Sequence, residues 1–537
     1  MAQAVKARTG GHLVAESLEA LGAEVCLGVP GVHALAIWEG LRATEIRTVG
    51  FRTELNAGFA ADGYARVSGR PAPLLLSTGP GALISLAALM EAASAHVPVV
   101  AVASQIPSEL LGAGRGYLHE LPDQLASFAP VVKRARRVES AGEIPAVLAD
   151  AWRRALTPPS GPVFVEIPVD YLGGETSVSP PKELDATPQA PPLPDVDEAA
   201  RVLSQSERPV LWAGGGVARS GAWEELAELA RRLDAPVATT YMGKGAFPED
   251  DPLAAGCACD EAAFRELVEG ADILLCVGTE LGAETTQQYG LSFSGRLVQI
   301  DAAPDRIGAT YPAVGLVGDA KAVLGALLQR VEQRSGDGAE RAAAVERRVE
   351  TGLDEQGREL ERGLLRTIRE VLPRDAVHAW DMTILAYWAA AHLPALTPRR
   401  FLYPLGSGTL GYAWPAALGA SLALPGTPAL AVAGDGGVLY GLQELAVARQ
   451  HGLEAVLLVV DDGGYGILRE YQRDSFGETT SVELAGPDVV ALAEAYGVSA
   501  EATTPEGLGD ALARGLAREG PAVVHLPALL EMWSPTE

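Results

Sequence analysis

The sequence has few cysteines and no long apolar run. Of its 537 residues only four are cysteine, and they form neither a CxxC pair nor a Cys/His spacing typical of a zinc site or a disulfide framework. No apolar run approaches the roughly 18 residues that a helix needs to cross a bilayer. The first ten residues, MAQAVKARTG, lack the apolar core of a signal peptide. We therefore expect a soluble cytoplasmic protein without a membrane partner.

Positive charge is also scarce, because 42 Lys and Arg residues stand against 69 Asp and Glu residues, for a formal net charge of −27. A surface this acidic repels phosphate backbones and anionic lipid, which predicts that the protein has no nucleic-acid partner. Hydrophobic residues make up 48% and charged residues 21% of the chain, so disorder along its whole length is excluded. At roughly 150 residues per domain, the length predicts three or four domains.

Apolar runs of strand length alternate with longer, Ala-rich amphipathic segments. Continuous rather than alternating apolarity is typical of strands covered on both faces, and hence of parallel sheets with helical crossovers. A segment rich in Pro and polar residues and a charged segment rich in Glu and Arg interrupt this pattern. We expect an α/β fold of three domains with parallel sheets flanked by helices, and the first and third domains could share one topology. The predicted parts are a domain at 1–172, a linker at 173–194, a domain at 195–335, an exposed linker helix at 336–362 and a domain at 363–537.

Two acidic residues follow neighbouring predicted strands of the third domain. Asp435 lies in GDG after the strand Ala429–Ala433, and Asp462 lies in DDGGYG after the strand Leu457–Val460, 27 positions later. A single Asp-Gly at a strand end is more often a helix cap or a turn. Adjacent parallel strands joined by one crossover, however, bring both carboxylates to the sheet edge where ligands bind. Two carboxylates, a loop carbonyl and glycine-exposed amides predict a site for Mg²⁺ and a diphosphate.

The same segment resembles the cofactor motif of thiamine-diphosphate enzymes in the acetolactate synthase, benzoylformate decarboxylase and benzaldehyde lyase group. The resemblance includes GDG, a helix with Gln-Glu-Leu at 443–445, and a doubled acid or amide after the second strand. It implies that the side chains of Asp435 and Asp462 and the main-chain carbonyl of Gly464 bind Mg²⁺. The family usually has Asn-Asn where this chain has Asp461 and Asp462. The additional carboxylate repels the diphosphate, so we expect it to affect cofactor affinity.

Three motifs of the first domain resemble the pyrimidine-binding domain of that family, in the same order. They are LGVPG at 27–31, RTELNAGFAADGYAR at 52–66 and STGPGA at 77–82. Read alone, Glu54 is an acid in the first turn of a helix, which the helix dipole favours. The resemblance implies that it is the catalytic glutamate, which stabilises the imino tautomer of the aminopyrimidine so that thiazolium C2 can lose its proton. Its apolar neighbours predict a raised pKa.

The resemblance extends to further cofactor and substrate contacts. Leu410 takes the position of the apolar prop under the folded cofactor, the backbone of Gly408 and Leu410 contacts the pyrimidine edge, and Thr383 stands where the family usually has Gly. His33 and His119 lie where the family places residues over the thiazolium, and we expect them to act as catalytic proton shuttles. Each could instead be a partly exposed loop histidine. The other expected cofactor-binding residues are Gly434, Gly436, Gly437, Pro30 and Tyr465.

The middle domain resembles the central domain of the family. Its glycine triplet at 214–216 does not continue as GxGxxG, because Arg219 occupies the last glycine position, and this disfavours an NAD-dependent dehydrogenase. FAD remains possible. It is disfavoured because the Arg-Phe-Asp-Asp-Arg stretch of FAD-binding acetolactate synthases is absent, and the chain reads GTELGAE at 278–284 instead.

We expect a thiamine-diphosphate- and Mg²⁺-dependent decarboxylase and carboligase of 2-oxo acids, similar to acetolactate synthase. The alternatives are a 2-hydroxyketone lyase of the benzaldehyde lyase type and a non-catalytic relative that binds the cofactor or nothing. By analogy with the family, the active site should form between two subunits, with Glu54 of one facing Asp435 and Asp462 of the other. The predicted assembly is a homodimer or a homotetramer.

Overall fold

The chain forms three six-stranded sheets, and every strand pair within them is parallel, as the continuous apolar runs predict. The structure, a computed structural model, describes residues 7–189 and 191–536. The first six residues of the segment that lacks a signal-peptide core therefore lie outside the described residues. No helix within the described ranges is both long enough and apolar enough to span a membrane.

The first sheet lies in the N-terminal domain and has the strand order β2-β1-β3-β4-β6-β5. Its strands are β1 Val25–Gly28, β2 Arg47–Gly50, β3 Pro73–Leu76, β4 Val100–Gln105, β5 Arg134–Arg137 and β6 Val163–Pro168. The helices are α1 Gly10–Ala20, α2 Leu35–Leu41, α3 Glu54–Ser68, α4 Pro80–Ile84, α5 Leu86–Ser94, α6 Gln124–Phe128, α7 Ile144–Leu156 and α8 Val169–Gly173. Strand β4 begins three residues after the start of the apolar run at Val97, because Pro98 has no amide hydrogen to donate to a neighbouring strand.

The second sheet lies in the central domain and has the strand order β12-β11-β10-β7-β8-β9. Its strands are β7 Pro209–Ala213, β8 Val237–Thr239, β9 Ala254–Gly256, β10 Ile273–Val277, β11 Arg296–Asp301 and β12 Val314–Val317. The helices are α9 Asp197–Gln205, α10 Gly215–Ser220, α11 Trp223–Leu233, α12 Ala262–Glu269, α13 Ala320–Leu328 and α14 Gly338–Glu355.

The third sheet lies in the C-terminal domain and has the strand order β14-β13-β15-β16-β18-β17. Its strands are β13 Val377–Trp380, β14 Phe401–Leu402, β15 Ala429–Gly434, β16 Val456–Asp461, β17 Ser499–Ala502 and β18 Ala522–Pro527. The helices are α15 Glu359–Val371, α16 Ile384–His392, α17 Ala413–Ala423, α18 Asp435–Val438, α19 Leu445–His451, α20 Gly466–Phe476, α21 Val489–Ala495 and α22 Leu508–Leu516. Strand for strand, this order is that of the first sheet, so the two sheets share one topology.

The described residues form two compact units. The first comprises residues 7–189, Gly406–Gly426 and Gly441–Glu454, and the second comprises residues 191–405, Thr427–Tyr440 and 455–536. In the first unit α17 packs closely along α3. Gly63 and Gly419 permit this approach, because a Cβ at either position would overlap the backbone of the other helix.

The charged segment predicted as an exposed linker helix at 336–362 contains all of α14 and the start of α15. One face of α14 is buried, with Ala342, Val345, Val349 and Leu353 packed into the apolar core of the second unit. These residues recur at helical spacing, so the helix is amphipathic rather than exposed on all sides. Arg341 forms an ion pair with Asp337, four residues earlier.

Candidate active site

Glu54 is the first residue of α3, just after the turn that leaves β2. The N-cap of this helix is Thr53, whose hydroxyl accepts a hydrogen bond from the Asn56 amide. The Glu54 side chain is only 9% exposed, and burial raises its pKa, as its apolar neighbours predicted. Gly81 leaves room for its carboxyl group, because a Cβ there would lie 2.8 Å from Glu54 Oε1. The sequence and the fold therefore place a buried carboxyl group with a raised pKa at the start of a helix.

The two predicted histidines lie together in the first unit. The rings of His33 and His119 have centroids 5.2 Å apart, and Tyr117 lies 5.8 Å from His33. Burial lowers the pKa of His33, and His119 lowers it further. Within the described part of the chain, Nδ1 of each histidine is buried without a hydrogen-bond partner. Pro30 is exposed just before His33 in the chain, and the two unpartnered nitrogens are available to a molecule that binds beside these rings.

Gly408 and Leu410 lie in a loop of the first unit that a buried polar network holds in place. Ser407 donates to Glu91 from its amide at 2.7 Å and from its hydroxyl at 2.9 Å. Arg66 of α3 donates to the same carboxylate at 2.7 Å. Gly408 has a positive φ of 66°, a conformation that favours glycine. The loop is thus fixed to α3, the helix that begins with Glu54.

The predicted metal ligands lie at neighbouring strand ends of the second unit. Strands β15 and β16 pair directly, with Gly434 opposite Val460, so Asp435 and Asp462 follow adjacent parallel strands as predicted. Asp435 is 5% exposed, and its Oδ2 is buried with no hydrogen-bond partner among the described residues. Burial, together with the charges of Asp462 and Asp461, raises the pKa of Asp435 to about 6. An unpaired buried carboxylate next to other carboxylates is costly, and a bound cation would remove that cost.

Glycines line the same sheet edge. A Cβ at Gly437 would lie 2.8 Å from Asp381 Oδ2, and a Cβ at Gly436 would press on the ring of Tyr465. Thr383 is adjacent, because its Oγ1 would lie 3.3 Å from a Cβ on Gly434. The structure therefore gathers the predicted residues Thr383, Gly434, Gly436, Gly437 and Tyr465 around Asp435.

The loop that carries Gly464 is held by contacts that sequence analysis did not predict. Tyr465 donates its amide to Val482 at 2.8 Å, and Leu484 donates its amide to Gly463 at 3.0 Å. Arg469 of α20 is 6% exposed. It donates to both oxygens of Glu483 at 2.9 Å and to the carbonyl of Asp462 at 3.2 Å.

The two acidic residues that replace the family's Asn-Asn have separate basic partners. Asp461 Oδ2 lies 2.9 Å from His525 Nε2. Burial raises the pKa of Asp462, an effect that the positive charge of Arg469 opposes. Three or more His, Cys, Asp or Glu side chains do not cluster as a metal site anywhere in the described ranges. The predicted ligands are instead two side chains and one carbonyl. Together with the orphaned Asp435 oxygen and the glycine-lined edge, they fit a Mg²⁺ ion that shares its remaining positions with diphosphate oxygens.

Three family models match the chain: the thiamine pyrophosphate enzyme N-terminal TPP binding domain over residues 8–127, the central domain over 196–327 and the C-terminal TPP binding domain over 381–526. The "Probable 2-ketoarginine decarboxylase AruI" of Pseudomonas aeruginosa is 36% identical over 98% of this chain and 95% of its own length.

Two acetolactate synthases are also similar. The "Probable acetolactate synthase large subunit" of Methanocaldococcus jannaschii is 32% identical over 92% of this chain and 87% of its own length. The "Acetolactate synthase" of Mycobacterium bovis is 33% identical over 92% of this chain and 83% of its own length. The resemblance expected from the motifs is confirmed, and the chain belongs to the thiamine-diphosphate-dependent enzyme family.

Proposed function

We propose that the protein is a thiamine-diphosphate- and Mg²⁺-dependent enzyme that decarboxylates a 2-oxo acid and passes the remaining carbon unit to a proton or to a second carbonyl compound. The observation that carries this proposal is the buried, unpartnered oxygen of Asp435 beside Asp462 at a glycine-lined sheet edge. The family and the relatives named as decarboxylase and synthases support the reaction class.

In this proposal each group of residues has one task. Asp435, Asp462 and the carbonyl of Gly464 hold Mg²⁺, and the backbone at Gly434, Gly436 and Gly437, with Thr383 and Tyr465, holds the diphosphate. Thiamine diphosphate, when bound, supplies a nucleophilic thiazolium carbon and accepts the electron pair released with CO₂.

The residues of the first unit act on the other end of the cofactor. Glu54 holds a proton at the aminopyrimidine, Gly408 and Leu410 support that ring, and Pro30 borders it. His33 and His119 move protons at the substrate, for which each offers a buried Nδ1 without a hydrogen-bond partner among the described residues. As the family resemblance implies, we place Glu54 of one subunit opposite Asp435 and Asp462 of another, so that a homodimer or homotetramer is the active form.

We also propose a substrate class, a 2-oxo acid with a cationic side chain. Helix α16 begins beside Thr383 and helix α20 beside Tyr465, so Tyr387 and Tyr471 lie one to two turns beyond the diphosphate edge. Burial raises the pKa of Tyr387 to about 12, with contributions from Tyr471 and from the exposed carboxylate of Glu284. Burial also raises the pKa of Tyr471, again with a contribution from Glu284. Tyrosine rings beside a carboxylate suit a guanidinium or ammonium group. The relative named as a 2-ketoarginine decarboxylase supports the same class.

Product analysis tests the proposal. The purified protein with Mg²⁺ and thiamine diphosphate is given pyruvate, benzoylformate, 5-guanidino-2-oxopentanoate and benzoin, and CO₂ and carbonyl products are measured. We expect CO₂ from 2-oxo acids, fastest with the guanidino compound, and a Glu284→Gln variant that loses this preference.

Three outcomes would contradict parts of the proposal. Cleavage of benzoin without CO₂ release would favour the 2-hydroxyketone lyase. The absence of a saturable response of intrinsic fluorescence to thiamine diphosphate and Mg²⁺ would contradict the enzyme assignment. A Glu54→Gln variant with the wild-type rate would contradict the catalytic role of Glu54.

A further inference from the structure

A completely buried glutamate contacts the turn that precedes Glu54. Glu444 lies at the end of a short helical turn, Leu442–Glu444, in the same unit as α3. The amide of Arg52 donates to both of its carboxylate oxygens at 3.1 Å, and the amide of Thr53 donates to Oε1 at 3.2 Å. Asn56 Nδ2 donates to the same Oε1 at 3.1 Å. One carboxylate therefore binds both residues that come immediately before Glu54.

Helix α3 does not need this carboxylate as a cap. The hydroxyl of Thr53 already accepts from the Asn56 amide, which is the usual N-cap interaction. Glu444 instead binds backbone amides outside the helix and one side chain in its first turn. Its hydrogen bonds therefore hold the backbone just before Glu54 rather than cap the helix.

Burying this carboxylate is costly. Its exposed fraction is 0%, and burial raises its pKa to about 7 despite the hydrogen bonds from Asn56, Arg52 and Thr53. Groups of this kind persist where their hydrogen bonds are needed, since an amide or apolar side chain would avoid the desolvation penalty. No step of the proposed reaction uses Glu444 directly.

The carboxyl group of Glu54 has little freedom to compensate for a backbone shift. It lies against Gly81, where even a Cβ would come within 2.8 Å of Oε1. A displacement of the Glu54 backbone by a fraction of an ångström would therefore change where its carboxyl group points. Misplacement of a reacting group by about 1 Å can cost about 100-fold in rate.

We propose that Glu444 is a positioning residue that fixes the turn at Arg52 and Thr53, so that the Glu54 carboxyl group meets the aminopyrimidine of bound thiamine diphosphate in one orientation. This inference rests on the proposed function of Glu54. It assigns a task to the Gln-Glu-Leu segment, for which the sequence motif alone gives none.

The test separates cofactor binding from cofactor activation. Hydrogen–deuterium exchange at C2 of bound thiamine diphosphate reports the proton loss that Glu54 promotes, and it needs no substrate. In Glu444→Gln the amide keeps one acceptor oxygen but turns N–H groups toward the Arg52 amide. We expect C2 exchange to fall by about 100-fold, while the Kd for thiamine diphosphate with Mg²⁺ stays within about threefold of wild type.

Thr53→Val is the matched control. It removes the N-cap hydroxyl and is expected to lower stability, because loss of a cap costs about 1 kcal/mol. The hydrogen bonds from the backbone amides of residues 52 and 53 to Glu444 stay in place. Exchange in this variant should stay within about threefold of wild type. An equal loss of exchange in both variants would show that helix stability, not positioning, is responsible and would overturn the proposal.

Two further variants keep the outcomes distinct. Glu444→Asp, one methylene shorter, cannot hold both amides and serves if Glu444→Gln does not fold; about tenfold slower exchange is expected. If the wild-type protein exchanged the C2 proton no faster than free cofactor does, or if Glu54→Gln exchanged it as fast as wild type, the proposed function would be overturned. If Glu444→Gln exchanged the C2 proton at the wild-type rate while Glu54→Gln exchanged it more slowly, only the inference about Glu444 would be overturned.

Discussion

The first and third sheets share one strand order, yet their buried carboxylates differ in how many hydrogen bonds they accept. Glu166 in β6 of the first sheet is fully buried, and both of its oxygens have partners: Arg137 at 2.6 Å, Gln124 at 3.0 Å and Gln105 at 3.1 Å. Asp435, after β15 of the third sheet, is also buried, and its Oδ2 has no partner among the described residues.

This difference separates structural from ligand-binding carboxylates on one topology. A buried carboxylate with a full set of donors stabilises the fold, and removing its charge leaves its partners unpaired. A buried carboxylate with an open oxygen destabilises the protein until a cation binds. The topology brings side chains to a sheet edge, and the number of donors around each one then decides what it does.

The largest expected effect is that of Asp435→Asn. The amide removes the charge of a buried carboxylate whose Oδ2 has no hydrogen-bond partner among the described residues, so the cofactor-free protein should be as stable as wild type or more stable. Affinity for thiamine diphosphate at fixed Mg²⁺ should fall by 100-fold or more, about 2.7 kcal/mol. A fluorescence titration and the cofactor-induced rise in Tm measure both effects. A variant with wild-type affinity for thiamine diphosphate would contradict the assignment of Asp435 as a ligand-binding carboxylate.

Glu166→Gln tests the other side of the comparison. It leaves Arg137 without its carboxylate, and because that arginine is 25% exposed and can be hydrated, we expect a cost of about 2 kcal/mol rather than the 3–5 kcal/mol of a fully buried pair. The Tm should fall by several degrees, with cofactor affinity within about threefold of wild type. If stability is unchanged and affinity falls instead, Glu166 is not a structural carboxylate.

Arg469→Lys should have a smaller effect, about tenfold weaker cofactor binding or 1.4 kcal/mol. A lysine ammonium cannot bind both oxygens of Glu483 and the carbonyl of Asp462 as the planar guanidinium does. Glu483→Gln and the double variant complete a cycle. If the losses of cofactor affinity in the two single variants add up to the loss in the double variant, the ion pair does not hold the loop that carries Gly464 in place.

The residues differ in how far their sequence predicts their contacts. The adjacency of Asp435 and Asp462 follows from apolar strands and the geometry of a parallel crossover, both of which are visible in the sequence. The pairs that hold the site together follow no period, since Arg469 and Glu483 are 14 positions apart and Arg52 and Glu444 are 392 apart. Such contacts depend on where the folded loops meet, so no local pattern predicts them.

The smallest expected effect is that of Thr383→Gly, which introduces the residue that the family usually has. Thr383 has φ −135° and ψ 158°, extended backbone that any residue adopts, and its side chain makes no N-cap hydrogen bond to α16. Glycine would therefore relieve no strain and would only loosen the loop, so we expect a change in cofactor affinity below about threefold, about 0.6 kcal/mol. The same fluorescence titration measures it. A loss as large as that of Arg469→Lys would mean that loop shape at Thr383 and Gly434, rather than the open charge of Asp435, distinguishes the third sheet from the first.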